Sequence, residues 1–170
     1  VLAQSGDPTE AVLRLERAVE ILRALADTRT EAEALQALGK LRIESGDRAR
    51  ARACLARIEE IAKGASDEER STVLRHLATL TAALGQDGSA IPALREAAGK
   101  ARASGDDHEL GRVLYALGME LDRIGKRADA ASALDEAAVV LRREEDKGLL
   151  CRTLMQLGFV TEDKARAAAI

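Results

Sequence analysis

The residues of this chain that could do chemistry are few and widely scattered. The two cysteines, Cys54 and Cys151, lie 97 positions apart, and the two histidines, His76 and His108, lie 32 apart. Metal sites place such ligands a few residues apart, and a nucleophile needs a base beside it. The sequence has no Gly-x-x-x-x-Gly-Lys loop that could cradle a phosphate and no His-Glu-x-x-His segment. We therefore expect no catalytic residues, no metal, no cofactor and no enzymatic activity.

The composition also argues against nucleic-acid and membrane partners. The 170 residues are 46% hydrophobic and 32% charged, the two signs are mixed along the chain, and the formal net charge is −3. Without Asn or Trp, the chain lacks polar base readers and repeated stacking rings. No apolar run reaches the roughly 18 residues of a membrane helix. Because two cysteines do not make a disulfide framework, we expect a soluble protein in the reducing cytoplasm.

A repeat of about 40 residues organises the sequence. Gly6, Gly46, Gly85 and Gly125 are spaced by 40, 39 and 40 residues. Five further sets of residues, here called rows, recur with the same spacing of 39 or 40. They are Ala11, Ala51, Ala90 and Ala130; Leu15, Leu55, Leu94 and Leu134; Ala18, Ile58, Ala97 and Ala137; Leu35, Leu74, Leu114 and Leu154; Leu38, Leu77, Leu117 and Leu157. Apolar residues spaced by three, four and seven mark the buried face of a helix, so each period should contain two amphipathic helices.

These rows predict where the helices lie. We expect helices over 8–26, 29–45, 48–63, 67–84, 88–103, 107–124, 127–144 and 147–161, and a short tail helix over 163–169. Because proline is tolerated only in the first turn, the helix that contains Pro92 should begin near Ser89. The tripeptide Ser-Gly-Asp occurs at 5–7, 45–47 and 104–106. At each place Gly can end one helix in the left-handed conformation and Asp can cap the next.

The pattern resembles the tetratricopeptide repeat. The resemblance rests on Leu-x-x-Leu-Gly at 35–39, 114–118 and 154–158, followed by the Gly, Ala, Leu and Ala rows, and it covers nearly the whole chain. It implies an all-α fold, a right-handed α-solenoid of antiparallel helix pairs with about four repeats and truncated ends. A period near 40, longer than the usual 34, resembles the repeats of kinesin light chains, cell-polarity adaptors and bacterial signalling regulators. Gly39, Gly118 and Gly158 should allow close helix approach.

We interpret residues 1–170 as a single domain of such repeats. It comprises a partial repeat at 1–26, repeats at 29–64, 67–104 and 107–145, and a partial repeat at 147–170. The incomplete ends indicate a fragment of a longer protein. Because an incomplete solenoid end exposes a face that another repeat would cover, we expect flanking repeats or end-to-end packing.

The resemblance also implies a binding surface, because the first helix of each tetratricopeptide pair lines a concave groove. At these positions the last two repeats hold the chain's only Tyr, its only Phe and both Met residues: Tyr115, Met119, Met155 and Phe159. Four arginines flank them: Arg75, Arg112, Arg123 and Arg152. Aromatic, Met and Arg side chains are enriched in interfaces. We predict one apolar patch with a basic rim, although Met155 and Phe159 could instead pack the tail helix or a following repeat.

The predicted function is a scaffold or adaptor module that binds a partner protein or peptide in this groove. The partner should carry an apolar anchor with acidic flanks, as an amphipathic helix, an extended segment or a folded signalling protein such as a small GTPase could. Gln36, Lys40, Arg75 and Thr79 do not match the pattern with which the family grips a C-terminal carboxylate. Two alternatives remain open: a sensor module of a bacterial signalling or transcription regulator that binds a peptide or small effector, and a self-associating structural module.

Overall fold

A computed structural model describes residues 8–85, 88–144 and 146–167 of the chain, with side chains between 9 and 161 within those ranges. Over these residues the secondary structure consists of eight helices. They are α1 (Pro8–Ala24), α2 (Thr28–Glu44), α3 (Arg48–Gly64), α4 (Asp67–Ala83), α5 (Ile91–Ser104), α6 (Asp107–Arg123), α7 (Arg127–Arg143) and α8 (Lys147–Ala167). None of them, as far as they are described, is long and apolar enough to cross a bilayer.

The bounds of the helices agree closely with the predicted ones, except at the start of α5 and at the end of α8. Helix α5 begins at Ile91, and Pro92 lies in its first turn as expected. The predicted break near residue 162 is wrong, because α8 continues to Ala167 and takes in most of the segment expected to form a separate tail helix. No Gly or Pro occurs between 159 and 167 to interrupt it.

The Ser-Gly-Asp tripeptide reverses the chain direction at the two places where it is described. Gly46 and Gly105 have φ angles of 83° and 72°, in the left-handed region that favours glycine. The carboxylates of Asp47 and Asp106 then accept the backbone N–H groups of Arg50 and Glu109 at 3.0 and 2.9 Å. The first copy, at 5–7, lies outside the described residues. The tripeptide therefore acts as a combined helix stop and start, as predicted.

The repeat rows form one continuous aliphatic core. In the complete repeats the Ala and Leu rows of the second helices are buried, and Leu35, Leu74 and Leu114 are buried on the first helices. Gly39 and Gly118 provide close approach, since a Cβ there would lie 2.7 Å from Leu80 and 2.6 Å from Leu134. The prediction for Gly158 is wrong, because a Cβ there meets nothing within 4 Å.

Candidate binding groove

The first helices of the pairs build a curved inner layer. Helix α2 packs against α4, α4 against α6, and α6 against α8, whereas the described helices α1, α3, α5 and α7 pack closely against first helices, and α5 and α7 are joined only by the ion pair of Arg102 with Glu136. Because the inner helices approach one another directly, the stack curves with them on its concave side. A groove of about 890 Å³ lies there, lined by Glu33, Gln36, Lys40, Arg75, His76, Ala78, Thr79, Ala82, Leu94, Arg112, Tyr115, Ala116, Met119, Glu120, Asp122, Arg123, Asp146, Leu149 and Arg152.

Six of the eight residues predicted for the site line this groove. They are Arg75, Arg112, Tyr115, Met119, Arg123 and Arg152. The remaining two, Met155 and Phe159, stand on α8 outside the groove lining and are 63% and 62% exposed. No described helix follows α8 to form a further groove wall, and α8 runs straight through the segment that could have covered them. The structure therefore divides the predicted patch of four apolar residues into two pairs.

Tyr115 and Met119 form the apolar part of the groove. Tyr115 is half-buried and packs against the core, and Met119 is exposed one helical turn further along α6. The side chains beside them are small and leave space. They are those of Ala78 and Ala82 on the neighbouring inner helix α4 and of Ala116 on α6 itself. An apolar side chain of a partner can enter this space and exclude water from both residues.

Arg75 belongs to the wall of the groove rather than to a free basic rim. Its Nε atom donates to Oε1 of Glu109 at 2.7 Å, and both side chains are nearly fully buried. Arg75 lies on α4 and Glu109 on α6, so this ion pair ties two successive inner helices together. Arg75 therefore lines the groove with its charge already compensated, since a buried cation needs a buried anion beside it.

His76 extends this ion pair into a chain of buried hydrogen bonds. Its Nδ1 lies 2.6 Å from Oε1 of Gln36 on α2, and its Nε2 lies 3.3 Å from a terminal guanidinium nitrogen of Arg75. The amide oxygen can only accept and the guanidinium can only donate, so His76 is neutral with its proton on Nδ1. Burial, and then the charge of Arg75, lower the pKa of His76 from 6.5 to about 3.

His76 was not among the residues predicted for the site. The repeat makes Arg75 the equivalent of Gln36, 39 positions on, as Leu74 is of Leu35, so the repeat spacing gave no sign of the contact between Gln36 and His76. Glu109 was missed as well. It lies 34 residues from Arg75, which is neither one period nor half a period, so the repeat pattern gave no sign of that contact.

Of the other three arginines, Arg123 is also paired. Its guanidinium donates two hydrogen bonds to the carboxylate of Glu120, at 2.9 and 2.6 Å. Arg112 and Arg152 are exposed and have no hydrogen-bond or ion-pair partner within the described part of the chain, and the same holds for Lys40. These three cations are therefore available to an anionic group in the groove.

The charge of the groove is not uniform along its length. Four cations raise the electrostatic potential at His76 and so help to lower its pKa: Arg75, Arg112, Arg29 and Lys40. Four acids also lie in the lining: Glu33 on α2, Glu120, which pairs with Arg123, Asp122, which accepts a hydrogen bond from Gln156, and Asp146, which caps the start of α8. The lining cations without a partner among the described residues are Lys40 on α2, Arg112 near the start of α6 and Arg152 on α8.

The groove offers contacts rather than reactive groups. In the described residues no three His, Cys, Asp or Glu side chains lie close enough to hold a metal ion. The histidine that faces the groove is neutral and engaged on both ring nitrogens. Cys54 is buried, and burial raises the pKa of its thiol. This arrangement suits recognition of an apolar group next to an anionic one.

Stacked helix pairs around a concave groove define a helical-repeat α-solenoid of the tetratricopeptide-like class. Folds of this class are in general protein–protein interaction modules. The sequence model of the family described as Anaphase-promoting complex subunit 5 matches the chain twice, over residues 63–119 and 113–164. These matches together span more than half of the chain, which therefore belongs to this family.

A solved structure has the same architecture. The crystal structure of BtubC (BKLC) from P. vanneervenii superposes with a TM-score of 0.77 at 18% sequence identity, covering 94% of this chain and 68% of that chain. At that identity the likeness concerns the fold alone. No curated protein matches the sequence.

Proposed function

We propose that this chain is a binding module, not an enzyme, and that it recognises a partner protein or peptide in the concave groove. The observation that carries the proposal is the placement of Tyr115 and Met119 in the groove beside Lys40 and Arg112, two cations without a partner among the described residues. The partner class that fits is a segment with one apolar anchor and acidic residues on one side of it.

We expect the partner segment to lie across the inner helices in one orientation. The anchor would contact Tyr115 and Met119 on α6, and the acidic residues would contact Arg112 and Lys40 on the side towards α2. Asp122 and Asp146 would repel acidic residues from the other side. Arg152 on α8 lies one repeat after Arg112 and provides a weaker second contact for a longer segment.

The biological setting is part of the same proposal. We place the module among the longer-period relatives of the tetratricopeptide repeat, as an adaptor in the cytoplasm, where two unpaired cysteines are compatible with the reducing conditions. A folded signalling protein with an acidic surface, such as a small GTPase, could present the anchor as well as a peptide could. A sensor module would use the same groove for a peptide or small effector and pass the signal to a linked domain.

A peptide selection followed by mutagenesis tests this function. A random peptide library selected against the folded chain should yield sequences with one large apolar residue and neighbouring Asp or Glu. The Tyr115→Ala/Met119→Ala double variant should bind the selected peptides at least about tenfold more weakly, because truncating central apolar anchors typically costs about 2 kcal/mol or more.

The matched control is Val139→Ala, since Val139 is exposed on α7 outside the groove lining. This variant should bind like the unmodified chain. Selected peptides with basic flanks, or equal affinity of the double variant and the control, would rule out this patch as the site.

A further inference from the structure

The proposed site spans three successive inner helices, so its shape depends on how far apart those helices lie. The apolar part is on α6, at Tyr115 and Met119, whereas Lys40 is on α2, and α4 lies between them. A partner segment that contacts both sides of this span fits only one spacing of the three helices. Contacts between inner helices can therefore set the affinity of the groove without touching the partner.

The spacing of α2 and α4 is fixed by close packing. A Cβ at Gly39 of α2 would lie 2.7 Å from the side chain of Leu80 on α4, so the two helices interlock at this point. The hydrogen bond between Gln36 and His76 adds a polar contact to the same junction.

Neither of these contacts can recur at the equivalent places between α4 and α6. One repeat length after Gly39 the sequence has Ala78, whose Cβ occupies the space that a glycine leaves open. One repeat length after His76 it has Ala116, whose side chain has no hydrogen-bonding group. The spacing of α4 and α6 must therefore be set by a different contact from those that set the spacing of α2 and α4.

The ion pair of Arg75 with Glu109 provides a link at this junction. Nε of Arg75 on α4 donates to Oε1 of Glu109 on α6 at 2.7 Å. The two side chains are 11% and 4% exposed, so breaking the pair would leave a buried charge without compensation. Glu109 itself does not line the groove.

We propose that Glu109 is a positioning residue for partner binding. Through Arg75 it holds α6 at the distance from α4 that the groove needs, although it makes no contact with the partner itself. This inference rests on the proposed function of the groove.

Two substitutions of Glu109 separate the reach of its side chain from its charge. Glu109→Asp keeps the charge but is shorter by one methylene, so its carboxylate cannot meet Nε of Arg75 unless α6 moves. Glu109→Gln removes the charge but keeps an oxygen acceptor of the original reach. We expect Glu109→Asp to bind a peptide selected by the unmodified chain at least about threefold more weakly, and Glu109→Gln to bind it within about twofold of the unmodified chain.

A role in charge alone predicts the opposite result. If Glu109 only offset the charge of Arg75, Glu109→Asp would bind like the unmodified chain. Glu109→Gln would then leave an uncompensated cation in the groove wall and would bind acidic peptides more tightly.

Glu31→Asp is the matched control. Glu31 is also a buried acid near the start of an inner helix, and it is 1% exposed. Its partners, Arg57 of α3 and Arg23 of α1, lie on outer helices, so these contacts do not join α2 to α4. The same shortening at Glu31 should leave the affinity of the groove unchanged, because it does not alter the spacing of the inner helices.

A measurement without a partner tests the positioning role separately from the proposed function. Spin labels would be attached to the exposed native Cys151 of α8 and to Arg52→Cys of α3, two helices on opposite sides of the junction between α4 and α6, whereas Cys54 is buried. The distance between the labels should change in Glu109→Asp and stay the same in Glu109→Gln and Glu31→Asp.

The outcomes distinguish the two proposals. If the chain selects no acidic peptides with an apolar anchor, the proposed function fails, and the label distance still decides the role of Glu109. Equal affinity of Glu109→Asp and the unmodified chain, tighter binding by Glu109→Gln, or an unchanged label distance in Glu109→Asp would each overturn the positioning role and leave the proposed function standing.

Discussion

His76 shows how a single buried residue couples the groove to pH. The imidazole has a pKa of about 3 in the folded chain, whereas the ordinary pKa of a histidine is about 6.5. Between these values the unfolded state binds a proton and the folded state does not. Stability is therefore lost as the pH falls through this window, by up to about 1.4 kcal/mol per pH unit.

His76→Gln should flatten this pH dependence. A glutamine cannot titrate, so the free energy of unfolding of the variant should fall less steeply between pH 6.5 and pH 4 than that of the unmodified chain. Urea unfolding at several pH values measures this free energy of unfolding. Val139→Ala, which removes no titratable group, is the control and should keep the original slope. Equal slopes for the His76 variant and the unmodified chain would contradict the neutral, buried state of His76.

The residues of the site were only partly predictable from the sequence. Tyr115 and Met119 were found because they break an aliphatic repeat at positions that the helical period places on the inner face. The pairing of Arg75 with Glu109 was not found, because it depends on how the side chains reach from α4 to α6. The pairing of Arg123 with Glu120 was not found either, although the two residues lie three positions apart on α6. Of the four arginines predicted for the site, Arg112 and Arg152 are the two without a partner among the described residues.

At the scale of the helices, Gly118 and Gly158 form a natural matched pair. Gly118→Ala should destabilise the chain by about 1–2 kcal/mol, since the new Cβ would lie 2.6 Å from Cγ of Leu134 and overpacking outweighs the better helix propensity of alanine. Gly158→Ala should stabilise it by up to about 1 kcal/mol, because only the propensity changes. Chemical unfolding of the two variants and the unmodified chain measures both effects. Effects of the same sign at both positions would contradict the packing described for α6 and α7.

The helices themselves were largely predictable, because the Leu and Ala rows encode directly which face of each helix is buried. Turns were predictable where Gly and Asp stand together, as at Gly46-Asp47. The prediction failed at the end of α8, where no breaker residue occurs and the helix simply continues. It failed also for Gly158, because close approach requires a neighbour as well as a glycine.

For the whole molecule, the packing between successive inner helices both curves the stack and forms the groove. The inner helices α2, α4, α6 and α8 contact one another in succession, so the chain folds into a concave layer that carries the groove. Both ends of the stack present faces that are buried in complete repeats, while the groove lies between them.

The central claim is that the concave layer binds an apolar anchor with acidic flanks, and amide chemical-shift mapping with a selected peptide tests it most directly. We predict that the largest shifts lie on α2, α4 and α6 around Lys40, Arg112, Tyr115 and Met119, with little change on α3, α5 and α7. Shifts centred on the outer helices, with the Tyr115 and Met119 amides unmoved, would contradict it.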